Sequence, residues 1–125
     1  MRPEVAAVGG RVLNRQNKLV GGMMDEKGKV IFSGLRDGFS GYVNRAALVQ
    51  QAEALDIRCM KVRRECFETV EMILGVNGAF EADGRIRWDK LPQGVDIIAL
   101  GLQISKALKE AGYVLLWDPE MCVKM

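Results

Sequence analysis

The chain has 125 residues, of which 49% are hydrophobic and 27% are charged, and its formal net charge is +2. These values are typical of one globular domain, so the sequence predicts a single domain over residues 1–125 and excludes a largely disordered chain. The small net charge argues against nucleic acid as a partner. The chain contains no histidine, which excludes Ser-His-Asp catalysis and His-ligated zinc. We therefore expect a protein without enzymatic activity, metal or cofactor.

The apolar stretches and the cysteines indicate a cellular location. The longest apolar run, Ile97–Leu102 with its neighbours, is far shorter than the roughly 20 residues that a membrane span requires. Cys59, Cys66 and Cys122 leave one thiol unpaired under any disulfide scheme, which favours a reducing compartment. The sequence therefore predicts a cytoplasmic protein that is not inserted in a membrane.

The N-terminal part of the chain is predicted to be extended. Residues 4–20 contain two apolar segments around a polar turn at Asn14–Lys18, and Gly9-Gly10 is predicted to interrupt the first segment. Asp25–Gly28 has the composition of a hairpin turn, and the alternation in Lys29–Ser33 predicts a short strand after it.

Two helices and a strand are predicted next. Phe39–Leu55 is rich in good helix formers, and Ile57–Val62 alternates as a strand does. Arg64–Leu74 is amphipathic and ends at Gly75. Its predicted apolar stripe is Phe67, Val70, Ile73 and Leu74, and its predicted water-facing side is Glu65, Glu68 and Glu71.

The C-terminal part repeats this order. A hairpin is predicted around Ala82-Asp83-Gly84, and a long helix is predicted over Gly94–Ala111. The last strands are predicted over Tyr113–Trp117 and, at a sheet edge, over Cys122–Met125.

The segment Gly22–Gly38 recurs 56 positions later, which predicts an internal repeat. Four residues are identical at the matched positions, and others are similar: Gly22/Gly78, Gly28/Gly84, Leu35/Leu91, Gly38/Gly94, Asp25/Glu81, Lys29/Arg85, Val30/Ile86 and Phe32/Trp88. The predicted fold is α+β, an α/β sandwich of two ββαβ-like units at about 19–62 and 75–118 with a linking helix and a mostly antiparallel sheet.

Each long helix carries an apolar face in addition to its predicted sheet-facing stripe. In the second helix that face turns polar at Ser105. The additional faces of the two helices are predicted to be an interface: Phe39, Tyr42, Val43, Ala46, Val95, Ile98, Ala99 and Leu102. Either they meet inside one chain across a pseudo-twofold axis, or a second copy or another protein covers them.

The stretch Arg64–Trp117, with a helix ending into Gly75-Val76-Asn77-Gly78 and an acidic turn closing on Gly84, resembles the roadblock family (dynein light chain roadblock type). The resemblance implies the order helix, hairpin, long helix and further strands. It also implies a non-enzymatic, dimerising platform that serves small GTPases or motor and scaffold complexes.

Two function hypotheses follow. The first is a small cytoplasmic protein–protein interaction or regulatory module that forms a homodimer through the apolar helix faces. The alternative is a protein that binds a nucleotide or other small anion between the two repeats, through Arg36, Tyr42, Arg87 and Trp88. Arg58 and Lys61–Arg64 are the densest basic cluster; they suit phosphates or an acidic partner, although local pairing of Arg63 and Arg64 with the glutamates of the next helix is favoured.

Overall fold

A computed structural model of the chain describes residues 3–16, 18–30, 50–87 and 90–124. In these ranges the protein has an α+β fold, as the sequence predicts, with a mixed and mostly antiparallel sheet. The strands are β1 Val5–Leu13, β2 Leu19–Gly21, β3 Met23–Met24, β4 Gln50–Gln51, β5 Ala54–Leu55, β6 Met60–Val62 and β7 Val114–Lys124; the α-helices are α1 Phe67–Leu74 and α2 Ile97–Glu110.

The long strand β1 organises the main sheet. On one side it pairs antiparallel with β6, through Ala7–Gly9, and with β2, through Val12 and Leu13. On its other side it pairs in parallel with β7, which in turn pairs antiparallel with β4. A separate two-stranded sheet is formed by β3 and β5. The predicted edge strand Cys122–Met125 is seen as the end of β7, where Cys122–Lys124 pairs with β1.

Gly9-Gly10 does not end the strand, because both glycines lie inside β1, although the pairing of β1 with β7 shifts register between Gly9 and Arg11. The two glycines serve close packing. A Cβ added at Gly10 would lie 2.3 Å from Met121 Cβ, and one added at Gly9 would lie 2.6 Å from Leu55 Cδ2. Glycine in a strand commonly marks such a close approach.

The turns at Asp25–Gly28 and Glu81–Gly84 have the same backbone geometry. The N–H of Asp25 donates to Lys29 O at 2.9 Å, and the N–H of Glu81 donates to Arg85 O at 2.8 Å. Gly28 and Gly84 have φ values of 89° and 93°, which L side chains rarely adopt. The predicted hairpin turns are therefore confirmed, while duplication of the whole unit stays a hypothesis.

The predicted helix Phe39–Leu55 is wrong at its C-terminal end, where residues 50–55 contain β4 and β5. Gln50 pairs with Trp117, and Leu55 pairs with Met23. Tertiary pairing overrides the helix propensity of this segment. The matched positions 106–111 lie in and just after α2, so the two predicted repeat units differ here; the rest of the predicted helix lies outside the described residues.

The segment between β5 and α1 is more tightly wound than the sequence predicts. Ile57–Cys59 is a 3₁₀ turn, because the Asp56 side chain accepts a hydrogen bond from Arg58 N and caps it. Only Met60–Val62 of the predicted strand is extended. A second 3₁₀ turn at Arg64–Cys66 leads into α1, which ends at Gly75 in the left-handed conformation, as predicted.

Both helices pack on the core that the main sheet provides. The buried side chains of α1 are Val70 and Leu74, from the predicted stripe. Ile104 and Leu108 of α2 are buried in the same cluster as Leu115 and Trp117 of β7. In the described ranges, none of the helices is both long and apolar enough to cross a membrane.

Candidate binding surfaces

The N-terminal half of α2 presents the predicted interface residues that the structure describes. Val95, Ile98, Ala99 and Leu102 are all half-buried. The helix begins here because the Asp96 carboxylate accepts a hydrogen bond from Ala99 N at 3.1 Å. An apolar surface of intermediate exposure therefore surrounds the first two turns of α2.

The side of α2 next to this apolar surface approaches β5 very closely. A Cβ added at Gly101 would lie 2.7 Å from the carbonyl oxygen of Leu55. One turn later, the buried Ser105 hydroxyl accepts a hydrogen bond from Leu55 N at 3.1 Å. The additional face turns polar at Ser105, as the sequence predicts, but this hydroxyl is buried because it satisfies the backbone N–H of the neighbouring strand.

The turn Asp25–Gly28 covers part of the apolar face. A Cβ added at Gly28 would lie 2.9 Å from Ile98 Cγ2 and 3.2 Å from Leu102 Cδ1. The first hairpin therefore packs on these two side chains inside the chain. One part of this apolar face is therefore covered by the turn within the chain, and the other part stays accessible.

A groove of about 510 Å³ adjoins this face, and we call it the helix groove. Its lining residues are Glu26, Lys27, Glu53, Ala54, Leu102, Gln103, Lys106 and Lys109. Lys109 Nζ lies 2.7 Å from Glu53 Oε2 across the groove. Three lysines and two glutamates thus surround an apolar centre, so the rim carries both signs of charge.

A second groove, of about 340 Å³, lies beside β6, and we call it the arginine groove. Its lining residues are Arg58, Cys59, Met60, Glu81, Arg85, Ile86, Arg87 and Val123. They come from the 3₁₀ turn, β6, the second hairpin and the end of β7. Four separate segments therefore bring three arginines to one concave surface.

Arg58 is held in place by a fully buried carboxylate. Arg58 Nε lies 3.0 Å from Asp56 Oδ1, and Arg58 Nη2 lies 2.7 Å from Asp56 Oδ2. The hydrogen bond to Asp56 raises the pKa of Arg58 further above its already high value, against the opposing effect of burial. Gly21 makes room for the pair, since a Cβ there would lie 2.5 Å from Asp56 Oδ2.

Arg85 and Arg87 alternate with the buried Ile86 on the segment beside β6. Ile86 N donates to Met60 O at 3.3 Å, and Arg85 stands opposite Lys61 in an antiparallel bridge. Directly opposed residues share one side of a sheet, so Lys61 lies on the same side of this pairing as Arg85. Arg85 Nε lies 3.4 Å from Asp83 Oδ2, but both side chains are nearly half-exposed.

The predicted site residues are only partly described by the structure. Phe39, Tyr42, Val43, Ala46, Arg36 and Trp88 lie outside the described residues. Arg87, from the predicted anion site, lines the arginine groove, but its neighbours there are Arg58 and Arg85. The alternation of Arg85 and Arg87 was visible in the sequence, whereas their approach to Arg58 depends on a hairpin register that no local pattern indicates.

The three cysteines differ in burial, and burial raises the pKa of two of their thiols. Cys59 and Cys66 are buried and Cys122 is exposed, and all three are free thiols. Burial raises the pKa of Cys59 to about 11, although a hydrogen bond from the backbone of Gly10 acts in the opposite direction. Burial also raises the pKa of Cys66, so the adjacent Arg63 does not activate this thiol. Arg63 instead pairs with Glu65 at 3.2 Å, in agreement with the predicted local pairing.

In the described ranges, no group of three or more cysteine, aspartate or glutamate side chains is arranged to hold a metal ion. No protein-family model matches the chain, and no curated protein or solved structure matches it. The resemblance to the roadblock family therefore stays a prediction.

Proposed function

We propose that this protein is a cytoplasmic, non-catalytic protein–protein interaction module that forms a homodimer through the N-terminal half of α2 and the helix groove. The observation that carries the proposal is the half-buried apolar surface of Val95, Ile98, Ala99 and Leu102 beside a groove of mixed charge. Covering such a surface stabilises an assembly by roughly 25 cal/mol per Å² of apolar area.

The charge pattern favours a second copy of the chain over an unrelated partner. In a twofold interface the same patch occurs on both subunits, so each patch must complement itself. The helix groove meets this requirement because Lys27 and Lys106 stand on the same rim as Glu26 and Glu53. A rim of one sign would instead repel its own copy.

Replacing Leu102 by Asp tests the apolar part of this surface. On association the Asp side chain loses the apolar contact of Leu102 and its charge must be desolvated, which together cost about 3 kcal/mol or more. We therefore expect the dimer dissociation constant to rise at least about a hundredfold, measured by sedimentation equilibrium. The matched control is Met72→Asp, since Met72 is 78% exposed on α1 and should leave dimerisation unchanged.

Because Leu102 also contacts the turn at Gly28, thermal unfolding must accompany the association measurement. A Leu102→Asp variant that keeps a cooperative unfolding transition and is monomeric supports the proposal. A wild-type protein that is monomeric at every concentration contradicts it, whatever the variant does.

A further inference from the structure

The arginine groove is separate from the proposed dimer surface and has a different chemistry. Its residues belong to the 3₁₀ turn, β6, the second hairpin and β7, and none of them lines the helix groove. Its volume of about 340 Å³ falls within the range of about 300–1,000 Å³ that is typical of small-molecule sites.

Arg58 enters this groove with its orientation already fixed. Its Nε and Nη2 groups are bound to the Asp56 carboxylate, and these bonds leave donors on the outer edge of the planar guanidinium for another acceptor. A side chain fixed in this way loses little conformational entropy when it binds a ligand.

The positive charge of Arg58 is balanced by Asp56. Arg85 and Arg87 therefore supply the positive charge that is left for a ligand. The ion pair of Arg85 with Asp83 is long and nearly half-exposed, so a ligand can replace it at small cost. In the part of the chain that the structure describes, Arg87 forms no ion pair. These guanidinium groups are therefore available to an incoming anion.

The remaining lining residues indicate what else the ligand carries. Cys59, Met60 and Ile86 are at most 5% exposed, so the apolar surface that a ligand can contact is the half-buried Val123 and the methylene stems of the arginines. Glu81 on the rim is an acceptor for a hydroxyl or an amine.

We propose that the arginine groove binds a small phosphate monoester that has an apolar moiety. A phosphate group offers three acceptor oxygens and close to two negative charges, which matches convergent arginines better than a single carboxylate does. The phosphate contacts Arg58, Arg85 and Arg87, and the apolar moiety lies against Val123 and the arginine stems.

The test is isothermal titration of the full chain with phenyl phosphate. Binding should be at least about tenfold tighter than that of benzoate, and Arg87→Gln should weaken it about tenfold or more, because one charge-assisted hydrogen-bonding group is lost. Arg85→Gln, at an exposed position, should weaken it as well. Arg15→Gln, in the exposed turn after β1, is the matched control and should bind as the wild type does.

Several results would overturn the proposal. Equal affinity for benzoate and phenyl phosphate would remove the preference for phosphate. Unchanged affinity in both the Arg85 and the Arg87 variants would show that phenyl phosphate binds elsewhere. Binding of a short single-stranded RNA without any binding of phenyl phosphate would show that the groove binds nucleic acid and not a small molecule.

Discussion

Cys59 lies beside the arginine groove, in buried surroundings that disfavour its thiolate. The side chain is 5% exposed, and burial raises its pKa to about 11, whereas an unfolded cysteine titrates near about 8.5. The unfolded chain therefore releases this proton first as the pH rises. The stabilising effect is complete below about pH 8.5 and is lost as the pH approaches 11.

The difference between the folded and unfolded pKa of Cys59 predicts that this one residue makes the stability of the protein fall at high pH. Between pH 7 and pH 10, the wild type should lose about 2 kcal/mol more free energy of unfolding than Cys59→Ala loses, measured by urea denaturation at both pH values. Cys122→Ala, at an exposed thiol, should behave as the wild type does. An identical pH dependence of the wild type and Cys59→Ala would show that the Cys59 thiol is not shielded from water.

Glu71 shows why single residues are hard to assign from a sequence. The helical period of α1 placed it among water-facing glutamates, yet its carboxylate accepts hydrogen bonds from Gly78 N at 2.6 Å and Ala79 N at 3.1 Å. The helical position was predicted correctly. The role of its side chain was not predicted, because that role depends on the path of the chain after Gly75. The periodicity of the helix gives no information about that path.

At the scale of elements, the contact between α2 and β5 depends on two small residues. Gly101 allows the Leu55 backbone to approach, and Ser105 provides the acceptor for its N–H. Replacing Ser105 by Ala would leave that buried N–H without its partner. We expect a loss of about 1–3 kcal/mol in the free energy of unfolding, measured by chemical denaturation.

Gln103→Ala is the matched control for this prediction, because Gln103 is exposed on the same helix and alanine is favoured in helices. A loss of stability no larger than that of Gln103→Ala would contradict the structural role of the Ser105 hydroxyl.

The elements that the sequence predicted well are those with strong local patterns. The period of 3.6 residues located α1 and α2 within a few residues of their ends, and the glycine turns at Gly28 and Gly84 were predicted from composition. Residues 50–55 were missed because their extended form depends on pairing with Trp117 and Met23, residues that are distant in sequence. Only the fold supplies those partners.

At the scale of the whole molecule, the parallel pairing of β1 with β7 joins the two ends of the described chain. Val5 pairs with Val114, and Leu13 pairs with Lys124. Neither strand carries a local signal for the other, so the sheet order was outside the reach of sequence reasoning. The two grooves have separate sets of lining residues, so dimerisation and anion binding can be tested independently.

The most direct test of the dimer is native mass spectrometry with charge-reversed variants of the helix groove. One variant carries Lys27→Glu and Lys106→Glu, and the other carries Glu26→Lys and Glu53→Lys, all at exposed positions. Each alone should be monomeric because like charges meet across the twofold axis, and their mixture should form a heterodimer. Two results would contradict a self-complementary interface at this groove. One is that each variant alone dimerises as strongly as the wild type, and the other is that the mixture stays monomeric while the wild type dimerises.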